Sequence, residues 1–459
     1  MDTALLSRIQ FGLTAGFHFI FPPITIGMAW LIFFMKSAYM KTGNEDWWKM
    51  SRFWVRVFAI SFVIGVATGI TMEFQFGTNW ATYSRYVGDV FGAPLAAEVI
   101  FSFFLESGFL ALLVFGAGRV SRKVQWVSSF LVAFAATLSA FWIIVAGSWM
   151  QTPAGYEIVN GRAQLVSFWA ALFNPSTLPR YAHVITAAFM TGAFFMTGIS
   201  AWFLLKKKNV AFAKKSITIS LAVAAIFSIL QVPIGHLHTL QVAKTQPVKL
   251  AAFEGLYKTT KGAPLCIIGL PDPSRQVVSP KIEIPNMLSY LIYGNFHAEV
   301  KGLDCVPPAY WPSVRATFLT FRGMVMLGSY MIVLALAGLY LLKKGKIGQS
   351  PRFLSLALFS IPVPIVANEL GWVSAEVGRQ PWIVQGLMRT QMAFSKVVPA
   401  GQVLLSIILI GGIYIALLAL WIFLLRREMA KGFEPEPVPA PGAEPAFGVA
   451  GAHAARKER

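Results

Sequence analysis

The chain reads as an all-α integral membrane protein of nine transmembrane helices, with its N-terminus outside and its C-terminus cytoplasmic. Three observations predict this. The 459 residues are 56% hydrophobic and only 13% charged, apolar runs long enough to cross a bilayer recur along the chain, and basic clusters fall in alternate connections. A soluble domain carries about a quarter of its residues as charges, so the composition alone argues against one. About 20 consecutive apolar residues span the hydrocarbon core as a helix. Backbone in lipid must satisfy its own hydrogen bonds, which favours helices over open strands.

The apolar runs lie at 13–36, 53–76, 93–117, 125–149, 182–205 and 216–235, then at 317–342, 353–376 and 399–425. The first six occupy residues 1–235 and the last three residues 317–430, with an external loop at 236–316 between them. The first run is too long for a secretory signal and has no small-residue cleavage site after it, so an uncleaved helix is expected. Residues 431–459, rich in Pro, Ala, Gly and charge, are expected to form a disordered cytoplasmic tail. The net charge of +19 could suggest nucleic acid, but its placement points elsewhere. Basic clusters run from Lys36 to Arg56, Arg119 to Lys123, Lys206 to Lys215, Lys343 to Arg352, and from Arg426 onward. Under the positive-inside rule these mark the cytoplasmic side.

Polar residues inside the runs locate candidate chemistry. An ionisable group in a span costs about 2.5–3.5 kcal/mol and is a functional candidate by default. Glu98 and Glu106 lie in the third run, and Glu369 and Glu376 in or beside the eighth. Glu369, Trp372, Glu376 and Arg379 are spaced three, four and three apart, which sets them along one helical face. Such a stripe belongs against an interior site rather than lipid. His18 in the first run and His183 at the start of the fifth share a depth near the outer face, with Met324 near the outer start of the seventh. Imidazole and thioether are haem iron ligands, and Arg322, two residues before Met324, could meet a haem propionate. Glu106 and Ser139 lie deeper and suggest polar steps inward. Nucleotide and zinc motifs are missing from the sequence. A secondary transporter would place its charges at the midplane of inverted repeats, whereas here the polar groups gather toward one face. A dihaem electron carrier would need a second ligand pair, and His236, His238 and His297 fall in the expected loop. The two cysteines, Cys266 and Cys305, also fall there. In an oxidising compartment they are expected to form a disulfide, closing a loop of roughly 40 residues worth about 3–4 kcal/mol.

Several blocks in order resemble the subunit I family of cytochrome bd-type quinol oxidases over nearly the whole chain. They are Leu6–Phe11 with His18 downstream, Gly69–Trp80, Gly92–Glu98 leading to Phe104–Glu106, Gly147–Gln151, Phe321–Val325 and Gly371–Trp382. The resemblance implies a terminal oxidase that oxidises quinol at the outer face and reduces oxygen to water at a high-spin dihaem site. Protons would come from the cytoplasm, giving a proton motive force without a pump. It implies His183 and Met324 as axial ligands of a low-spin haem b, and His18 and Glu376 as ligands of the high-spin pair. That pair would be a haem b together with haem d or a further haem b. Glu98 would be an acidic group beside it, Trp372 an aromatic lodged between haems, and Arg379 and Arg8 propionate or site partners. Glu106 and Ser139 match a proton path, and Lys249 and Glu254 match residues implicated in quinol oxidation. The short external loop resembles the cyanide-insensitive-like branch. The family also implies a second membrane subunit, room for a small single-helix subunit, and a bacterial inner-membrane location.

Overall fold

The computed structural model describes residues 2–433. The tail expected to be disordered therefore lies, from residue 434 on, outside the described residues. Among the described residues nine helical segments are long and apolar enough to cross a membrane. The first is split into α1 (Thr3–Phe19) and α2 (Phe21–Thr42), and the second is α3 (Glu45–Thr78). Pro22 and Pro23 account for the split: they have no N–H to continue the ladder, so α1 ends one turn earlier, just past His18. The third comprises α4 (Ala81–Ala97), a π-helical segment (Glu98–Phe103) and α5 (Phe104–Phe115). Pro94 inside α4 weakens the ladder immediately before the π turn. The fourth is α6 (Arg122–Gln151).

A hairpin, β1 (Tyr156–Val159) and β2 (Arg162–Leu165), and the short α7 (Phe168–Leu172) lead into α8 (Thr177–Leu205). Next come α9 (Val210–Thr245) and the short α10 (Pro247–Glu254). In the large connection β3 (Thr260–Lys261) pairs with β6 (Glu299–Val300), and β4 (Leu265–Asp272) with β5 (Val277–Ile284), around α11 (Met287–Tyr293). The bundle closes with α12 (Val314–Lys343), α13 (Pro351–Phe359), α14 (Pro362–Val377), the strands β7 (Trp382–Val384) and β8 (Met388–Arg389), and α15 (Ala400–Lys431). All four sheets are two-stranded, so the all-α class stands.

The core runs along α2, α3, α8 and α9, where Trp54, Phe58, Phe194, Phe195 and Phe203 are fully enclosed. Two glycines bring α2 and α8 together. A Cβ on Gly27 would fall 2.4 Å from the Ala188 carbonyl oxygen, so the helices meet backbone to backbone as small residues allow in membranes. At one end of the bundle the basic clusters converge and are knitted together. Arg122 pairs with Glu45, Lys215 with Asp46, and Arg56 with Glu428, while Lys208 donates to the Ala430 carbonyl. Connections that the sequence assigns to one side of the membrane therefore do share one end of the fold.

Two expectations are corrected here. The sixth span does not stop at residue 235: α9 continues to Thr245, so His236 and His238 are helical rather than loop residues. Only the apolar run stops there, because His236, His238, Thr239 and Gln241 interrupt it while the helix continues. The cysteines are not bridged. Cys266 sits in β4 opposite Glu283, buried, with its thiol 3.4 Å from the Ile268 carbonyl oxygen. Cys305 ends a separate 3-10 turn and is exposed. The two sulfurs thus belong to different elements that face different surroundings.

Candidate functional site

Thr68 on α3 meets His18 at the end of α1. The Thr68 hydroxyl lies 3.0 Å from His18 Nδ1 and 3.0 and 2.9 Å from the Ile64 and Gly65 carbonyls. When it donates to a carbonyl it accepts from Nδ1–H, the tautomer in which the Nε2 lone pair is open to a metal. Gly69 faces the ring: a Cβ there would lie 3.0 Å from His18 Cε1. Nearby, Ser139 of α6 donates to Glu98 at 2.7 Å. Glu98 opens the π segment and Glu106, buried, lies in the first turn of α5. The π turn matters to their alignment. It inserts one extra residue, so the eight-residue separation counts as about seven in α-helical phase, close to two full turns. Both carboxyl groups therefore lie on one side of the segment.

His183 of α8 meets a stripe of α9. Gln231 Nε2 lies 3.3 and 3.2 Å from its two ring nitrogens, and the His238 ring lies 5.5 Å away between centroids. Between these two, a Cβ on Gly235 would come within 3.4 Å of His183 Cε1. The spacing of four and three is one face of a helix. On α12 the Met324 thioether points at α14, where a Cβ on Gly371 would sit only 2.7 Å from its sulfur. Gly16 of α1 likewise leaves room for Glu369, whose Oε2 would be 3.3 Å from a Cβ there, and for Trp372. The stripe Glu369–Trp372–Glu376–Arg379 thus faces inward, as its spacing implied.

Around Glu376 the charges do not balance. Arg379 pairs with one carboxylate oxygen, while Arg180 at the start of α8 lies 3.8 Å from the other. Gln151 Nε2 donates to that same oxygen at 3.1 Å. Gln151 in turn accepts from the buried Lys249 of α10. Two guanidiniums face one carboxylate, with the Lys249 amine joined to it through Gln151, so positive charge is in excess in an enclosed space. Burial, then Arg180, hold the Lys249 ammonium well below the usual lysine range, with Glu376 opposing and Arg379 reinforcing the effect. The Nε atoms of Arg180 and Arg379 are buried without a hydrogen-bond partner among the described residues. Unpaired buried charge is costly, so this corner suits a bound anion, and a carboxylate of a haem fits that description. The donors also stand singly: among the described residues no three His, Cys, Asp or Glu side chains converge as a chelate. A macrocycle that supplies its own equatorial nitrogens needs only single axial donors of this kind.

The remaining expected residues divide. Arg322 pairs with Glu254 and lies over the Phe318 and Phe321 rings, each 5.3 Å away. It is thereby committed to α10, with Nε unpartnered among the described residues. Burial raises the Glu254 carboxyl above the usual range, opposed by Arg322. Arg8 is exposed on α1 and is not brought into any of these groups. Sequence reasoning passed over Arg180, Gln151 and Gln231, and set His238 aside as a loop residue. Only Gln151 carried a signal, as the last residue of the block beginning at Gly147.

Comparison with known proteins gives concordant results. The family model described as cytochrome bd terminal oxidase subunit I matches residues 6–433. The chain is 42% identical to the cytochrome bd ubiquinol oxidase subunit 1 of Bacillus subtilis strain 168 over 445 residues, covering 95% of each. It is 36% identical over 501 aligned positions to the cytochrome bd-II ubiquinol oxidase subunit 1 of Escherichia coli strain K12, covering 94% of this chain and 97% of that one. Among solved structures, the bd oxidase from Geobacillus thermodenitrificans superimposes with a TM-score of 0.87 at 31% identity, covering 94% of this chain and 99% of that one.

Proposed function

The chain belongs to the cytochrome bd terminal oxidase subunit I family, and from that premise we propose how its residues perform quinol oxidation and oxygen reduction. It is a quinol:oxygen oxidoreductase of a bacterial respiratory chain, embedded in the cytoplasmic membrane as a multi-pass protein. Each quinol yields two electrons and two protons. Two quinols are therefore consumed for each oxygen molecule reduced, with four protons, to two waters.

The observation that carries the detailed reading is the donor set. His18 meets Thr68 through Nδ1, which turns Nε2 to the interior as its donor atom, and single donors stand against glycines on facing helices. Haem, when bound, supplies the electron transfer and the oxygen chemistry. His183 and Met324 would hold a low-spin haem b, and a His/Met pair favours a raised potential. His18 and Glu376 would hold the high-spin pair, a haem b with haem d or a second haem b. Arg180, Arg379 and Lys249 would neutralise carboxylates of that pair, and Trp372 would pack against the haems. Lys249 and Glu254 on α10 take part in binding quinol at the outer face. Glu106, Ser139 and Glu98 form polar steps along which cytoplasmic protons reach the oxygen site, Ser139 donating to Glu98 at 2.7 Å. With the basic end of the bundle in the cytoplasm, protons are released outside and taken up inside, separating charge without a pump. The exposed apolar faces of α15 and of the π segment with α5 leave surface for lipid and a second membrane subunit.

The test is oxygen uptake by the purified complex in sealed vesicles, driven by a reduced quinol. Quinol-dependent uptake with alkalinisation of the cytoplasmic side is expected. A haem-replete complex that consumes no oxygen, or consumes it with no change on that side, contradicts the proposal.

A further inference from the structure

A row of buried amides connects the two ends of the site. Lys249 Nζ donates to Gln151 Oε1 and, at 3.1 Å, to Gln246 Oε1. Gln246 Nε2 also donates to Gln151 Oε1, at 3.0 Å. On its other side Gln151 Nε2 donates to Glu376 at 3.1 Å. Gln151, Lys249 and Gln246 are 0%, 2% and 4% exposed, so water does not compete for these bonds. The neighbours also fix which way the amide points. An ammonium must meet its oxygen and a carboxylate its NH2 group, so the flip is determined by chemistry.

The backbone around Gln151 is tied down. It is the last residue of α6, and the adjoining Thr152 hydroxyl donates to Asn174 or Ser176 at 3.0 and 2.9 Å. Those residues immediately precede α8, which carries Arg180 and His183. Few uncharged side chains could replace Gln151. It accepts two hydrogen bonds on one atom and donates from another at the reach required, whereas Asn is one methylene shorter.

We propose that Gln151 is a positioning residue of the oxidase reaction, holding the Lys249 ammonium and the Glu376 carboxylate in one hydrogen-bonded unit. The geometry where quinol binds and the geometry at the ligand are then set together. This rests on the roles proposed above for Lys249 and Glu376. Gln151 touches neither substrate nor iron and acts through these two partners.

Two variants of the purified oxidase complex separate the arms. Gln151→Leu removes both, so Lys249 keeps only its 3.1 Å bond to Gln246 and Glu376 loses its amide donor. The expected result is a rise of about tenfold in quinol KM, the scale of one hydrogen bond to a charged group. A lowered midpoint potential is also expected for the haem that Glu376 would hold, because a carboxylate with one N–H donor fewer gives more charge to iron. Gln151→Glu keeps the acceptor for Lys249 but sets a second carboxylate beside Glu376. Here KM should stay within about twofold of the parent, while the same potential falls. In both, haem content and the low-spin haem spectrum should be unchanged. The inference fails if neither variant moves KM or that potential. It fails equally if both merely lose haem and activity in parallel, as a packing role requires. Glu376→Ala is the control on the underlying reading. Retention of every haem signal in that variant would overturn the ligand assignment and this inference with it. Loss of one high-spin haem there, with an unaffected Gln151→Leu, would sink the inference alone.

Discussion

Met324 and His183 are held differently, yet each is confronted by a glycine where a side chain would intrude. A Cβ on Gly371 would overlap the thioether, and one on Gly235 would come into van der Waals contact with the imidazole. As the proposed axial ligands, each would bind iron through one atom. His183→Ala and Met324→Ala should therefore each abolish the low-spin haem b spectrum while leaving the high-spin signals in place. Retention of that spectrum in both variants would overturn the assignment. Glu106 calls for a different test. It is 7% exposed and sits on the same side of its segment as Glu98, so its work would be carrying a proton rather than binding a cofactor. Glu106→Gln preserves shape but cannot ionise. Oxygen consumption should fall by about a hundredfold, the scale of one lost proton-transfer group, with reduced-minus-oxidised spectra intact. Loss of haem instead would make Glu106 a structural residue.

At the scale of elements, the π turn and α10 carry the most consequence. Ile100, at the middle of the π segment, is 58% exposed. Deleting it should let the segment relax to an α-helix in which the two glutamates stay in phase, about two turns apart. Inserting an alanine beside it should rotate them apart by about 100°. The deletion is expected to keep most of the oxygen uptake and the insertion to lose it, both assayed at equal haem content. Equal activity in the two variants would show that the alignment is irrelevant. The short α10 is clamped to the bundle at both ends. Phe253 stacks on Phe321 with centroids 4.5 Å apart and planes 4° apart, next to the Glu254–Arg322 pair, and Lys249 reaches Gln151. Each of its candidate quinol residues thus touches a group adjoining a ligand-bearing helix. Neither feature is readable from the chain. Pro94 hints at a weakened ladder but does not say that an extra residue will be accommodated downstream, and α10 is fixed by partners far away in sequence.

For the whole molecule, hydropathy and charge placement foretold the nine spans, because lipid imposes both rules directly on composition. The interior stripe of α14 was equally legible, since Glu369, Trp372, Glu376 and Arg379 on one face leave few alternatives. What escaped depends on convergence. Arg180 and Gln151 are ordinary polar residues at span ends until α6, α8 and α14 bring them to Glu376. His238 was hidden because the apolar run stops near Pro233 while the helix itself runs on to Thr245. The cysteine pair misled for a related reason, since sharing a loop and a compartment does not place two sulfurs together.

These scales meet in one claim, that single axial donors and a surplus of buried positive charge were shaped around haem. The most direct test is a dithionite-reduced minus oxidised absorbance spectrum of the purified complex, with and without carbon monoxide. Low-spin haem b bands together with a carbon monoxide-reactive high-spin haem are expected, and a far-red band would identify haem d. A purified, folded complex with no haem bands would contradict the account and leave the buried glutamates in need of another explanation.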